Sequence, residues 1–278
     1  MPAERIAENL DFINWTLVAG LAIGSFAAVV FGRLCTDATR GYLGFTAFCA
    51  ALLGLLAVAS GDALPLAVAG PGVVSDPVLA TVRQGALWAF VVLAVMYVVA
   101  IARGRRAPYL GLGGFAAGVV GLGAGAVAWG ASPVGTVALF VQLSLIAGAT
   151  GGVFAAMILG HWYLVTPKLA EAPLVLFARL LTGIMAAQLG LFVVATALGA
   201  GPSGVAGFGA LTGSWALFIW LRLVVGIVFP LIVSWAAIQT ARTRSMESAT
   251  GLLYINVGTI ASGTILASGL YFGAGILV

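Results

Sequence analysis

The residues best suited to chemistry lie together at the end of one long apolar stretch. His161 is the only histidine of the chain, and Trp162 and Tyr163 follow it directly. A histidine titrates near neutral pH, so it can carry protons beside a quinone, and it can also ligate haem iron. Tryptophan and tyrosine are enriched where a helix meets the lipid headgroups. The sequence therefore predicts a quinone, haem or anion site at a membrane surface; a plain interfacial histidine in an aromatic belt is the alternative.

Three charged residues are candidates to complete that site. Lys168 follows in the same link, Arg179 lies inside the next apolar stretch, and Glu247 opens the last one. Arg179 is placed to bind an anion or a quinone headgroup, or else to extend its side chain to the lipid headgroups. Glu247 is also explained by the helix dipole, with Ser245 as the capping residue.

Haem binding would need a second axial ligand, because the chain has one histidine. Met157 lies one turn before His161 on the same helix face, so these two side chains cannot bind opposite faces of a haem. Met96, Met185 or another subunit would have to supply the second ligand. The two cysteines are not spaced as metal ligands, so no metal site is predicted.

The composition places these residues in a membrane protein. Of 278 residues, 62% are hydrophobic and only 7% are charged, whereas soluble domains carry about 25% charged residues. Most of the surface must therefore face lipid. The 39 glycines favour close helix packing in lipid, so we predict an all-α polytopic bundle. The net charge of +4 comes from basic residues at helix ends, which predicts topology rather than nucleic-acid binding.

Eight apolar segments are long enough to cross about 30 Å of hydrocarbon. They are residues 12–32, 42–60, 84–103, 110–130, 134–160, 174–199, 215–240 and 249–275. Basic residues concentrate in four of the links, namely Arg33, Arg40, Arg103, Arg105, Arg106, Lys168, Arg242 and Arg244. Such links face the cytoplasm, so we expect both termini on the outer face of a bacterial-type inner membrane. The acidic N-terminus lacks the basic region of a signal peptide, so the first segment is expected to be retained.

The two halves of the chain resemble each other. At an offset of 128, Leu17–Gly32 and Leu145–Gly160 are identical at eight of sixteen positions, and shorter matches follow in order at offsets of 136, 139 and 140. We predict a tandem duplication of a four-helix unit, residues 1–131 and 132–278, related by a pseudo-two-fold axis along the membrane normal. The first and fifth segments, with a small residue at every fourth position, are the expected contact between the halves. Those residues are Gly20, Gly24, Ala28 and Gly32, with Gly148, Gly152, Ala156 and Gly160. A leucine at Gly24 or Gly152 is expected to push the two helices apart.

The repeat also predicts a position for Arg222. At an offset of 139 it matches Arg83, at the outer edge of the third segment, so we expect Arg222 at the outer membrane surface. Pro230 has no counterpart and is expected to kink the seventh helix. Uncharged polar residues within the segments are expected to hydrogen-bond between helices or to line a solute path. They are Asn14, Gln142, Gln188, Asn256, Thr259, Ser262 and Thr264.

The duplicated plan of four plus four helices is similar in architecture to that of haem A synthases and of NrfD-type quinol-oxidising subunits. The resemblance implies a redox-chain or cofactor-handling subunit that binds quinone or haem at its cytoplasmic side, next to membrane or peripheral redox subunits. Those synthases have histidine pairs in each half, whereas His161 stands alone here. The alternatives are a small-solute transporter or exporter with a path between the repeats, and a structural or assembly subunit of a membrane complex. No segment has a carboxylate at mid-depth, which argues against cation-coupled transport.

Overall fold

The computed structural model describes residues 1–65, 76–166, 169–205 and 207–278. Eight helical units in these ranges are long and apolar enough to cross a membrane, which confirms the predicted all-α class with eight spanning segments. A short helix, α1 (Pro2–Glu8), comes first. The spanning helices are α2 (Leu10–Cys35), α3 (Arg40–Asp62), α4 (Pro77–Ala102), α5 (Pro108–Trp129), α6 (Pro133–Val165), α7 (Ala172–Leu198), α8 (Ala216–Leu223) continued by α9 (Phe229–Arg242), and α10 (Met246–Ala274).

The two ends of the bundle differ in charge. The arginines of the basic links lie where α2, α4 and α9 end and where α3 begins, and we call this end the basic side. Helix α1 packs against α10 at the opposite side.

Helices α2 and α6 form the centre of the bundle. Helix α2 packs against α3, α5, α6 and α10, while α6 packs against α2, α5, α7 and α10. The two backbones meet at Gly24, where an added Cβ would lie 1.8 Å from the carbonyl oxygen of Ala147. At Gly151 an added Cβ would lie 2.1 Å from the backbone nitrogen of Ser25. Only glycine permits this approach, so the expected contact between the first and fifth spans is present and depends on these two residues.

Helix α6 is longer than a membrane requires. Its 33 residues span about 50 Å at 1.5 Å per residue, against a hydrocarbon thickness of about 30 Å. It begins after Ser132, whose hydroxyl accepts a hydrogen bond from the N–H of Gly135 at 3.0 Å. It ends at Val165, five residues beyond the predicted segment. His161 therefore lies within the last turns of the helix and not after its end.

The seventh span changes its helical geometry midway. Helix α8 passes into a π-helical segment, Val224–Val228, before α9 begins at Phe229. Pro230 has no N–H to donate to the carbonyl of Gly226, which lies one turn earlier. The seventh span thus has a widened turn immediately before Pro230, and the kink expected there stays a prediction.

The opposite side of the bundle is closed by aromatic rings. Phe12, Trp15, Trp129 and Phe272 form edge-to-face and stacked pairs with ring centroids 5.0–5.6 Å apart. The Tyr271 hydroxyl donates to the carbonyl oxygen of Trp129 at 2.6 Å. After α10 the chain turns back, and the N–H of Leu277 donates to the carbonyl of Ala200 at 3.3 Å. This cluster therefore seals the ends of α2, α5 and α10 together.

Candidate functional site

The aromatic part of the predicted site on the basic side has packing roles. Trp162 is half-buried, and an added Cβ at Gly41 would lie 2.6 Å from its ring, so the indole covers the start of α3. Tyr163 is buried, and its hydroxyl donates to the carbonyl oxygen of Ala170 in the link to α7. His161 is exposed and makes no hydrogen bond to any described residue. The turn thus fixes the end of α6, and its histidine is accessible at the surface.

The charged candidates do not gather around His161. Arg179 is exposed on α7 and lies about 200° around the helix from the buried residues Phe177 and Leu181. It therefore points away from the bundle, as an arginine that extends to lipid headgroups does. Lys168 lies outside the described residues.

The two glutamates on the basic side, Glu171 and Glu247, do not pair with His161 either. Glu171 pairs with Arg244 at 3.1 Å, and not with Arg179. Glu247 is exposed in the first turn of α10. The expected cap from Ser245 is absent: its hydroxyl accepts no hydrogen bond from the first turn of α10 and donates to the hydroxyl of Ser248 at 2.9 Å.

Two adjoining clefts flank Tyr163 on the basic side. One, of about 190 Å³, lies between the α2–α3 link, the end of α6 and the start of α7, with Leu159 and Pro173 among its walls. The other, of about 620 Å³, is shallow and carries Arg244 and Glu247. An apolar cleft beside a charged one suits an amphipathic molecule.

The structure places the expected haem ligands apart. Met185 is fully buried and lies 13 residues into α7, about 20 Å from its basic end. His161 lies four residues from the end of α6, about 6 Å in depth. Met96 is 49% exposed on α4 and faces lipid. Neither methionine is positioned as a second axial ligand to the iron that His161 would bind.

The small-residue ridges contact several neighbours. Gly20 and Gly24 face α6, whereas an added Cβ at Gly32 would meet Phe177 at 3.2 Å and one at Gly160 would meet Thr250 at 2.7 Å. A residue repeated every four positions drifts about 40° per step around a helix of 3.6 residues per turn. Such a ridge cannot face one neighbour along its whole length.

The α6 side of the contact is shifted by one residue from the predicted ridge. Ala147 and Gly151 meet α2, while an added Cβ at Gly148 would meet Ile184 of α7 at 3.2 Å. At Gly152 an added Cβ meets nothing within 4 Å, so a leucine there has open space, contrary to our expectation. Ala156 is buried. Gly148, Gly152, Gly24 and Ala28 instead line an apolar groove of about 160 Å³ beside α7.

Arg222 is buried inside the bundle, whereas the repeat match predicted a position at the outer membrane surface. Its side chain is only 3% exposed within the protein, like that of Gln188. The guanidinium donates from Nη2 to the Gln188 side-chain oxygen at 2.7 Å and from Nη1 to the Gly226 carbonyl at 3.1 Å. Gln188 in turn donates to the carbonyl of Leu145 at 3.0 Å. A polar chain therefore connects α6, α7 and the seventh span inside the bundle.

Two glycines create the room for this guanidinium. An added Cβ at Gly226 would lie 2.6 Å from the Cα of Gly263 in α10 and 3.2 Å from Nη1 of Arg222. The converse Cβ at Gly263 would lie 3.0 Å from Nη1. Arg222 also replaces the donor that Pro230 lacks at the Gly226 carbonyl. The helix break, the glycine crossing and the buried charge thus form one structural unit.

No carboxylate of the chain neutralises this charge. All eight acidic residues lie in the described ranges and near helix ends; they are Glu4, Glu8, Asp11, Asp37, Asp62, Asp76, Glu171 and Glu247. The ion pairs among the described residues are Met1 with Glu4 and Arg244 with Glu171. Nε of Arg222 is buried without a hydrogen-bond partner. An arginine stays protonated in proteins, so the protein carries a buried positive charge here that costs on the order of several kcal/mol.

Arg83, the repeat mate of Arg222, has a different environment. It is 6% exposed, and its guanidinium carbon lies 5.5 Å from the ring centroid of Trp15 and 5.1 Å from that of Trp129. The negative faces of these rings attract the cation, by about 2 kcal/mol per contact when water is excluded. Arg83 is thus compensated by the aromatic closure of the opposite side.

The sequence contains a pattern that points to Arg222, although the repeat match outweighed it in our prediction. The residue lies in an apolar segment, with Gly226 one turn later and a proline one further turn on. An intramembrane charge beside a helix breaker is a functional pattern in its own right. The partner Gln188 was among the uncharged polar residues expected to hydrogen-bond between helices, and here it does so.

Comparison of the chain with protein-family models, with curated proteins and with solved structures finds no match.

Proposed function

We propose that this protein is a multi-pass membrane transporter of a small solute, with its binding site at Arg222 and Gln188. The observation that supports this most strongly is a buried guanidinium, unpaired with any carboxylate, at a break in a spanning helix. Ionisable residues inside membranes are costly and mark substrate or ion sites. Interrupted spanning helices recur at the binding sites of transporters, where irregular backbone lines a polar cavity.

The arrangement around Arg222 also supplies a means of movement. Its guanidinium is sealed from water and lipid, so a solute reaches it only when neighbouring helices part. The π-helical segment Val224–Val228 lies directly beside it, and π-bulges are frequent at functional sites. Rotation of α9 relative to α8 at this turn would open the contact with α10 while Gln188 still ties Arg222 to α7.

Flux from proteoliposomes tests this proposal. Four solutes are tested. Chloride is followed with an ion-selective electrode, and lactate, urea and glycerol are followed by radiolabel. At least one solute should leave faster than from protein-free liposomes. Arg222→Gln should slow that flux by about ten- to a hundredfold, because a lost charged hydrogen bond costs about 1.5–3 kcal/mol. Arg179→Gln, which removes an exposed arginine from α7, is the matched control and should leave the flux unchanged.

Two results would overturn the transport role. One is the absence of protein-dependent flux for every solute of the panel. The other is equal flux from the wild type and the Arg222→Gln variant when both are folded. Arg222→Lys, which retains the charge, serves as a second variant if Arg222→Gln fails to fold.

We also propose the duplicated topology, with units 1–131 and 132–278 and both termini on the outer face of a bacterial-type inner membrane. Two observations support it: α2 packs against α6, and Arg83 and Arg222 are each the seventh residue of a helix. On a cysteine-free background, Ala3→Cys should react with an impermeant maleimide in intact cells, and Thr243→Cys should not. The reverse pattern would invert the topology.

A quinone-binding redox subunit is the second candidate, supported by the adjoining clefts around Tyr163. Membrane or peripheral redox subunits would be its partners. A reduced-minus-oxidised absorption spectrum tests for haem, and quenching of tryptophan fluorescence by decylubiquinone tests for quinone. Arg244→Gln, in the charged cleft, should weaken the quenching if that cleft binds the quinone headgroup. Equal quenching by this variant and the wild type would remove that site.

A further inference from the structure

We propose that the site at Arg222 binds a compact monoanion, either an inorganic anion such as chloride or nitrate or the carboxylate of a short organic acid. The assignment of this anion as the transported solute rests on the transport function proposed above. Binding itself is inferred from the geometry of Arg222, Gln188, Gly226 and Gly263.

The first argument is charge. The Arg222 guanidinium is 3% exposed, and the groups that accept its hydrogen bonds are a neutral amide oxygen and a neutral carbonyl. At low dielectric the attraction between opposite charges is far larger than in water. An anion is therefore the class of solute that offsets the cost of this charge, whereas a cation would be repelled.

The second argument is the number of donors. A guanidinium has five N–H groups in a planar fork. The structure uses one N–H from Nη2 and one from Nη1, and Nε has no partner among the described residues. Planar fork geometry matches carboxylate-like and nitrate-like acceptors, and hydrogen bonds to an ionised acceptor are the strong ones. The unused donors thus fit an acceptor that the chain does not provide.

The third argument is size. Nη1 of Arg222 lies at the crossing of Gly226 and Gly263, where an added Cβ would come within 3.2 and 3.0 Å of it, respectively. Both positions are backbone-lined and narrow, because each added Cβ would also lie 2.6 Å from the Cα of the other glycine. The crossing is closed in this structure, so an anion reaches Nη1 only when α10 and the seventh span part, and a small separation admits a compact anion before a bulky one.

The fourth argument is the contrast with Arg83, which lies over two indole rings. The faces of those rings attract the positive charge and so compensate part of it. Among the described residues no aromatic ring lies over Arg222. Arg222 therefore lacks the aromatic compensation that Arg83 has, although Nε has no hydrogen-bond partner in either residue.

Thermal unfolding of the purified full chain in detergent tests the proposal. The protein is titrated at constant ionic strength with potassium chloride, nitrate, formate or lactate, each replacing bulky potassium gluconate, and tryptophan fluorescence follows unfolding. At least one compact anion should raise Tm in a saturable way, as expected when a ligand binds only the folded state. Comparison of chloride and nitrate with formate and lactate shows whether the site binds inorganic anions or organic carboxylates.

The decisive variants alter the glycine crossing and the charge. Gly263→Ala keeps Arg222, but its Cβ would lie 2.6 Å from the Cα of Gly226 and 3.0 Å from Nη1, so it displaces the guanidinium and should weaken the apparent anion affinity at least tenfold. Gly258→Ala is the matched control on the same helix, because its Cβ meets nothing within 4 Å; it should titrate like the wild type. Arg222→Gln should abolish the saturable shift.

The proposal is overturned if no compact anion stabilises the wild type saturably, or if Arg222→Gln and Gly263→Ala respond as the wild type does. The outcomes also separate it from the transport function. Saturable binding without flux of that anion rejects transport and leaves the anion site. Flux of urea or glycerol that depends on Arg222, without anion binding, supports transport and rejects the anion.

Discussion

The surroundings of Arg83 and Arg222 show two ways in which this protein buries a positive charge. Each arginine is the seventh residue of a helix that starts at the opposite side, and each is less than a tenth exposed. Neither pairs with a carboxylate among the described residues. Arg83 lies against Trp15 and Trp129, whereas Arg222 is bound to Gln188 and to the backbone of its own helix.

This difference separates a structural arginine from a candidate binding residue. Indole rings supply both dispersion contacts and an electrostatic surface for the cation, so they offset part of the charge of Arg83, whose Nε has no hydrogen-bond partner among the described residues. Neutral amide and carbonyl dipoles satisfy some of the N–H groups of Arg222 but do not neutralise its charge. The neighbours of the two arginines come from helices distant in sequence, and those neighbours decide the role of each residue.

The largest effect is expected when a large side chain replaces a glycine at the helix crossing beside Arg222. Gly263→Leu should destabilise the fold by more than about 3 kcal/mol, because overpacking at side-chain contacts already costs about 1–3 kcal/mol and here the contact is backbone to backbone. Unfolding in SDS measures the change. Gly258→Leu is the control and should unfold like the wild type; equal losses in both variants would contradict a crossing at Gly263.

The next effect concerns the aromatic environment of Arg83. Trp129→Leu should destabilise the protein by about 3 kcal/mol, since it shortens a buried aromatic side chain. A double-mutant cycle with Arg83→Met should give a coupling of about 1–2 kcal/mol. The same cycle between Trp129→Leu and Arg222→Met should give no coupling. A coupling of Trp129 to Arg222 would show that the two regions are not independent.

A smaller effect is expected at Gln188. Gln188→Leu removes an acceptor from the buried guanidinium and should cost about 1–3 kcal/mol while Arg222 is present. In an Arg222→Met background the same change should be close to neutral, because apolar replacement of both buried partners is tolerated. A cost that is equal in the two backgrounds would mean that Gln188 acts through its bond to Leu145 alone.

The smallest effect marks the contrast with charges at the surface. Glu171→Gln breaks the pair with Arg244, whose side chains are 40% and 63% exposed. Such exposed pairs contribute about 0–1 kcal/mol, so unfolding in SDS should change by less than 1 kcal/mol. A larger loss of stability would show that the pair between Glu171 and Arg244 stabilises the fold more than exposed ion pairs do.

Much of the architecture is predictable from local sequence, and the candidate site is predictable only in part. The spans follow from apolar run length alone, and the start of α6 follows from Ser132 and Pro133. The packing of α2 on α6 follows from small residues, but the choice of Gly151 over Gly152 does not. A shift of one residue turns a helix face by about 100°, and only the neighbouring helices decide which face is buried.

The sequence is equally limited in predicting which candidate functional residues lie close together in the fold. His161, Trp162 and Tyr163 are adjacent in sequence, yet they point to different surroundings in the structure. Arg222 and Gln188 are 34 residues apart and form the shortest contact of the buried arginine. Adjacency along a helix distributes side chains around its axis, whereas a site requires side chains from different helices at one depth.

The sequence by itself determined that most of the surface faces lipid, that the fold is all-α and that eight segments are long enough to span. These properties depend on composition and on the length of apolar runs. It also determined where the charges that can face water are, since they cluster at the ends of those runs. Only the tertiary structure decided that Arg83 is covered by tryptophans and that Arg222 meets a glycine crossing. The physical reason is that the compensation of a buried charge depends on three-dimensional neighbours, which the order of residues along one helix does not specify.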